Sequence, residues 1–254
     1  MSDIRITKDG HVGTAQIRRA PNNYFDIELI RGLAAAFEGF DADPDIRSIL
    51  LVSEGKNFCA GADFGSPARA TVGDRRGGHL YQQAVRLFRC EKPIVAAIQG
   101  AAVGGGLGLS LVADFRVASA DSRFTANFNR LGFHPGFGLS VTLPRVVGEQ
   151  KAALLFYTGR RIGGEEAHAI GLVDVLVPQA QLRAAALALA TEIAQSAPIA
   201  VVSTRRTLRR GLADAVAEIT DHELSQQQRH FETADFKEGV KAMAERRLPV
   251  FQGR

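Results

Sequence analysis

The stretch that most constrains this chain is "AAVGGGLGLS", residues 101 to 110, where three consecutive glycines join the apolar run "PIVAAIQG" to "LSLVADFRVAS". Glycine favours neither strand nor helix. It costs backbone entropy, and it allows positive φ and close approach of bare amide N–H groups to a neighbour. A turn of this kind either packs a helix closely on a sheet or presents N–H donors to a ligand. Two phosphate-binding readings fail. A dinucleotide fingerprint needs glycine at its first, third and sixth positions, but the sixth falls on Leu109 counted from Gly104 and on Leu111 counted from Gly106. A P-loop needs Gly-Lys-Ser/Thr, and these glycines run into Leu107. Both failures argue against a nucleotide-dependent oxidoreductase.

Around the turn, strand and long helix alternate. "IRITKDGHVGTAQIRR" reads as a hairpin about Asp9-Gly10, "DIELIRGLAAAFEGFDAD" has helical spacing at Ile27, Ile30, Leu33, Ala34 and Phe37, and "IRSILLVSEG" reads as a buried strand. The loop "KNFCAGADFGSPARATVGDRRGG" follows, then a helix over about 80–89 and the strand "PIVAAIQG". This order predicts crossover units, a mostly parallel sheet and an α/β fold. Past Val117 come a short strand "RFTANF", the loop "NRLGFHPGFG" and helices starting near residues 139, 164, 181, 199 and 212. The C-terminal third therefore reads as all-helical.

With 254 residues, 46% hydrophobic and 23% charged, the chain can bury a sizeable globular core. The uncharged run from Pro93 to Ala113 has the length of a membrane span, but its five glycines, Gln99 and missing interfacial aromatics suit strand, loop and buried helix better. "MSDIRITKDG" has no charged-then-apolar signal pattern, and Cys59 and Cys90 make no disulfide framework. These features lead to the expectation of a soluble, cytoplasmic protein. The net charge of +4 suits a phosphate-bearing small ligand. Without an aromatic-and-basic stripe, an RNP-like pattern or zinc spacing, neither nucleic acid nor a metal is expected.

A helix N-terminus with bare N–H groups stabilises an oxyanion when a second donor comes from elsewhere. "FCAGAD" is the best second source, because it too follows an apolar strand and holds a glycine between small residues. At this pair of loops the sequence resembles the enoyl-CoA hydratase/isomerase, or crotonase, superfamily. The resemblance runs through "NFCAGAD", "KPIVAAIQGAAVGGGLGLSLVAD", "LPRVVGEQKAALLFYTGRRIGGEEAHAIGLVDVLVP" and "FETADFKEGVKAMAERRLPVF". It implies a β-β-α spiral core over residues 1–195 and a C-terminal helical region over 196–254 that assembles trimers, often paired into hexamers. It also implies an acyl-CoA substrate whose thioester carbonyl oxygen is held by the N–H groups of Ala62 and Gly105. Coenzyme A then enters as part of the substrate, and no tightly bound cofactor is implied.

The sequence departs from the family at its acids. Hydratases place one glutamate after the glycine triplet and a second in a Phe-x-x-Pro-Glu pattern; those positions are Gly108 and Phe128 here. The aspartate that other branches carry further along the second loop falls on Gly136, and "GGGLG" resembles the dehalogenase branch without its nucleophile. His134 is then the strongest proton-transfer candidate, since it alone among the nearby polar groups titrates near neutrality; it also reads as a histidine bonded within its own turn. Ala62, Gly105 and His134 form the expected catalytic set. Asp63, Asn127, Phe128 and Asn129 are expected beside the acyl group, with Arg130 a further polar neighbour. Asp63 equally reads as a loop brace, and Asn127 and Asn129 alternate with Phe128 in an extended stretch whose amides can simply satisfy strand ends. Arg246 and Phe251 are expected at the CoA phosphates and adenine. The run "TRRTLRR" reads as a solvated helix face, with phosphate contact as the alternative, and Cys59 reads as a buried thiol. Two readings stay open: an enzyme that stabilises a thioester enolate or oxyanion without the hydratase acids, and a non-catalytic acyl-CoA-binding protein of the same fold.

Overall fold

The computed structural model describes residues 3–62 and 79–254. As the turn dipeptide predicts, β1 (Ile4–Asp9) and β2 (Val12–Ile17) form an antiparallel hairpin. Helix α1 (Ile27–Ala42) starts at Asp26, whose carboxylate accepts the Leu29 N–H at 2.9 Å, and its five expected core residues are all buried. There follow β3 (Ser48–Ser53), α2 (Leu80–Phe88), β4 (Ile94–Ile98), β5 (Ala101–Val103), α3 (Gly105–Ser110), β6 (Phe115–Ala118) and β7 (Arg123–Thr125). The second half holds α4 (Leu139–Val147), α5 (Glu149–Thr158), β8 (Arg161–Gly163), α6 (Gly164–Ala169), β9 (Val175–Leu176), α7 (Leu182–Ala194), α8 (Pro198–Leu208), α9 (Leu212–Phe231) and α10 (Ala234–Ala244).

The strands make a six-stranded sheet in the order β1-β2-β3-β4-β6-β9 and a three-stranded sheet in the order β5-β7-β8. Every neighbouring pair of the larger sheet after β1·β2 is parallel. Strands β4 and β6 belong to the larger sheet, and each is followed by a short strand, β5 or β7, in the smaller one. This alternation builds a β-β-α spiral. All six residues of β3 are buried because both sheet faces are covered. Leu50 and Val52 pack under α7 with Val95, Val117, Ala186 and Ala190, while Ile49 and Leu51 face the main core with Leu33 and Phe37 of α1. Leu212 and Val216 join that same main core, so α9 packs onto the body of the fold. The run Pro93 to Ala113 forms β4, β5 and α3, and no single helix among the described residues is long and apolar enough to cross a membrane.

Three local expectations are corrected. The strand read over "RFTANF" ends at Thr125; Phe128 is helical in φ and ψ and Asn129–Leu131 form a 3-10 turn, so Asn127 and Asn129 do not alternate in an extended stretch. The C-terminal third is not purely helical, since β9 closes the larger sheet against β6. The arginine run is not simply a solvated face: Arg205 is 8% exposed and shares the Asp114 carboxylate with Arg209, while Arg206 stays outside with Glu91.

Candidate oxyanion site

The first donor loop leaves β3 and is fixed by a buried amide. Asn23, wholly inaccessible, donates to the carbonyls of Glu54 at 2.6 Å and Asn57 at 2.7 Å and accepts from the Arg19 N–H at 2.9 Å. Beyond it the loop lies along β5: the Cys59 N–H donates to Ala101 O, and the Val103 N–H donates back to Cys59 O, both at 3.0 Å. Phe25 then donates to Gly61 O at 3.0 Å and bridges to Ala62. The first loop is thereby held between the entry to α1 and the strand that carries the glycine triplet.

The second loop reverses at Gly104, with φ +54° and ψ −119°, a conformation that only glycine adopts without strain. Its N–H donates to Thr125 O at 2.9 Å, and α3 begins at the next residue. Gly106 answers a closer approach, because a Cβ there would lie 2.1 Å from the Cys59 carbonyl oxygen. The two loops meet at Gly61: a Cβ placed on it would sit 2.8 Å from Val103 O and 3.9 Å from the Gly105 nitrogen. No acceptor among the described residues meets the N–H of Ala62 or of Gly105. For Gly105 this follows from its place in the first turn of a helix, where N–H groups have no intrahelical partner.

The surroundings are aromatic. The ring of Phe25 comes within 2.3 Å of where a Gly105 Cβ would stand, and Phe137, fully buried, packs on Phe25 with ring centroids 5.6 Å apart. A side chain at Gly108 would run into Phe137 at 2.8 Å. Asn127 and Phe128 flank Gly104, at 3.4 and 3.6 Å from its Cβ direction, and Phe128 stands edge-on to Phe133 at 5.4 Å. Asn129 is half-buried in its 3-10 turn. Cys59 is the buried thiol its surroundings suggested, and burial pushes it up to about 12.

His134 opens the loop that carries Phe137. It is half-buried, and its Nδ1 lies 2.8 Å from the Pro135 carbonyl; that oxygen can only accept, so Nδ1 carries the proton and Nε2 is the basic nitrogen. Its ring stacks on His230 at 6.4 Å and meets His222 edge-on at 5.9 Å. Burial, with help from these two histidines and against the Pro135 carbonyl, lowers its pKa below the usual histidine range. Behind the loop, Gln227 donates to His134 O at 2.9 Å and accepts from the Tyr81 hydroxyl at 2.9 Å, and burial raises that phenol far above its ordinary range. Glu223, wholly inaccessible, accepts the N–H groups of Gly138 at 2.8 Å and Ser140 at 3.0 Å; burial pushes its carboxyl up to about 7. Sequence reasoning missed this support. Its signal was polarity on a buried stripe, since Leu212, Val216, Thr220, Glu223 and Gln227 line one face of α9.

Asp63 lies outside the described residues. Arg246 and Phe251 sit in the tail after α10, which is pinned by Arg247 to Glu238 and by the Gln252 and Gly253 N–H groups to Asp235; nothing in the described residues ties them to Ala62 or Gly105. Among the described residues no three His, Cys, Asp or Glu side chains are grouped to hold a metal ion.

Two backbone N–H groups without an acceptor among the described residues thus lie on loops locked together, one of them at a helix N-terminus beside the Phe25 ring. The chain belongs to the enoyl-CoA hydratase/isomerase family, whose pattern matches residues 7–254. It is 32% identical to a probable enoyl-CoA hydratase of Bacillus subtilis over the full length of both chains, and 33% identical to a putative enoyl-CoA hydratase of Thermus thermophilus over 98% of this chain and all of the other. The crystal structure of an enoyl-CoA hydratase/isomerase from Pseudoalteromonas atlantica superimposes with a TM-score of 0.88 at 30% identity, covering 99% of this chain and 100% of that one.

Proposed function

We propose that this protein is an acyl-CoA-processing lyase or isomerase that holds a thioester enolate or oxyanion between the N–H groups of Ala62 and Gly105. The observation that carries the reading is that pair of unpartnered donors on two loops locked together. Coenzyme A is part of the substrate, and the chemistry needs no tightly bound cofactor. In a β,γ-unsaturated thioester the α-proton passes to Nε2 of His134, the electron pair moves onto the carbonyl oxygen as a dienolate, and return of the proton to the γ-carbon shifts the double bond to the α,β position. Asp63, Asn127, Phe128 and Asn129 border the acyl group, and Arg246 and Phe251 take the nucleotide end. Residues 196–254 mediate assembly of a trimer or hexamer, and the protein works in the cytoplasm.

Ordinary hydration is not its reaction. This reading takes Gly108 and Phe128 as the positions that the resemblance gives to the hydratase acids, and it is supported by Phe137, which fills the space in front of Gly108, and by the burial of Phe128. The same observation favours a second reading, an acyl-CoA-binding protein without turnover. Calorimetric titration tests both: acyl-CoA thioesters bind, free NAD and ATP do not, and crotonyl-CoA hydration is slower by ~10²–10⁴-fold for each missing acid or base. Binding of NAD without binding of any acyl-CoA would overturn the proposal.

A further inference from the structure

Three side chains of α9, Glu223, Gln227 and His230, stand at positions i, i+4 and i+7 on one face and grip the same loop. Glu223 takes the N–H groups of Gly138 and Ser140. His230 Nδ1 accepts the His134 N–H at 3.1 Å, and Gln227 Nε2 donates to the His134 carbonyl at 2.9 Å. Both backbone groups of His134 are thus held by α9, and its Nδ1 is held by the Pro135 carbonyl. Its Nε2 alone has no partner among the described residues, and it is not sealed in the core.

Gln227 is the centre of this grip. It is 1% exposed, and burying an amide costs free energy unless its donor and acceptor are both bonded. A side chain wanted only for packing at that depth would be apolar. Here both ends are used: the nitrogen faces the His134 carbonyl, and the oxygen accepts from the Tyr81 hydroxyl at 2.9 Å. Tyr81 comes from α2 in the main core, and burial together with the Glu223 charge keeps its phenol protonated and able to donate. The loop runs tight against this pair. A Cβ at Gly136 would collide with the Tyr81 oxygen and lie 2.5 Å from Gln227 Nε2, so hydroxyl and amide occupy the space a side chain there would need. The next residue, Phe137, is held at φ +65°, a conformation that phenylalanine keeps only where its surroundings impose it.

We propose that Gln227 is a positioning residue: anchored by Tyr81, it fixes the backbone of His134 so that Nε2 is presented to the acyl-CoA in one orientation. Gln227 touches no reacting atom and acts through His134. Its catalytic effect rests on the reading of His134 as the base, whereas the fixed orientation of the ring is measurable without turnover. The two arms of the test therefore fail separately.

The first arm records ring-nitrogen and Cε1–H NMR signals of His134 in the full chain across pH. Gln227→Met keeps the length of the side chain and removes both bonds; Tyr81→Phe keeps the ring and removes only the hydroxyl. Wild type shows a single His134 tautomer, with the proton on Nδ1. Gln227→Met releases the carbonyl, mixes the two tautomers and moves the titration midpoint up toward the ordinary histidine value. Tyr81→Phe does the same to a smaller extent, with His222 and His230, the titrating groups that face His134, in place throughout. The second arm is turnover of 3-hexenoyl-CoA, a β,γ-unsaturated thioester. Gln227→Met lowers kcat by ~10–10²-fold with KM nearly unchanged, and costs nothing further once His134→Asn has removed the base. An unchanged tautomer and midpoint in both variants overturns the proposal. So does an equal kcat loss from Gln227→Met with and without His134, the mark of a residue that only stabilises the fold. His134→Asn with full turnover overturns the base and not the fixed ring, and if wild type leaves 3-hexenoyl-CoA unchanged the NMR signals alone decide the role of Gln227.

Discussion

His134 carries a pH signature that separates a proton carrier from a turn residue. Its pKa is lowered by burial first and by His222 and His230 second, so the free base is the resident form at neutral pH. Activity that depends on this base is full above the ordinary histidine value and falls as pH drops through the lowered one. His134→Asn keeps size and some hydrogen bonding. It is expected to cut kcat by at least ~10²-fold on a substrate found by screening acyl-CoAs, with KM nearly unchanged and the acid limb of the pH profile gone. Equal losses of stability and activity, or full activity in a stable variant, would remove His134 from the mechanism. Gly105 gives the complementary case. A Cβ there collides with the Phe25 ring, so Gly105→Val displaces the donor and is expected to forfeit ~2.7–4 kcal/mol of transition-state stabilisation, read from kcat/KM. Unchanged acyl-CoA affinity together with unchanged turnover would refute the donor role.

At the level of elements, α9 couples to α4 through Glu223, whose carboxylate takes the N–H groups at the entry to α4. Its carboxyl is raised from 4.5 to about 7, so the folded protein holds a proton there that the unfolded chain has released. The stability this contributes is present below pH 4.5 and is lost as pH rises through about 7. Over that window the wild type is expected to lose up to ~3 kcal/mol, and Glu223→Gln flattens the dependence, as urea unfolding at a series of pH values measures. His134 runs the other way, losing stability as pH falls below the ordinary histidine value, so the difference between His134→Asn and the double variant isolates the Glu223 limb. None of this was legible beforehand. Periodicity exposes the buried face of α1 because all five of its marker residues are apolar, whereas on α9 the inner stripe turns from apolar Leu212 and Val216 to polar Thr220, Glu223 and Gln227 and resembles a wet face. The three-residue strands β5 and β8 are equally hidden, since their pairing is set by partners far along the chain and not by a local pattern, whereas β7 is read with its end too late.

For the whole molecule, the glycine turn and the parallel sheet could be read from the sequence because strict backbone requirements leave few residue choices. Gly104 with its positive φ, and Gly106 against the Cys59 carbonyl, admit almost nothing else. What filled the space around the turn could not be read. Phe137 is a phenylalanine at φ +65° that stands over Gly108, and its place depends on Tyr81, Gln227 and Glu223, which come from α2 and α9. The arginine run misleads for a similar reason: helical spacing says which residues share a side, but only the placement of Asp114 decides that this side is the inner one. The strand order has one more consequence, for coexistence in a crowded solution. One rim of the larger sheet is β1, whose outward surface carries Arg5, Lys8 and Asp9, with Lys8 tied down to Asp43 and Asp45; the other rim is β9, only two residues long. A stray strand from another molecule therefore finds charge at one border and too little backbone at the other, and the sheet is poorly suited to grow by templating.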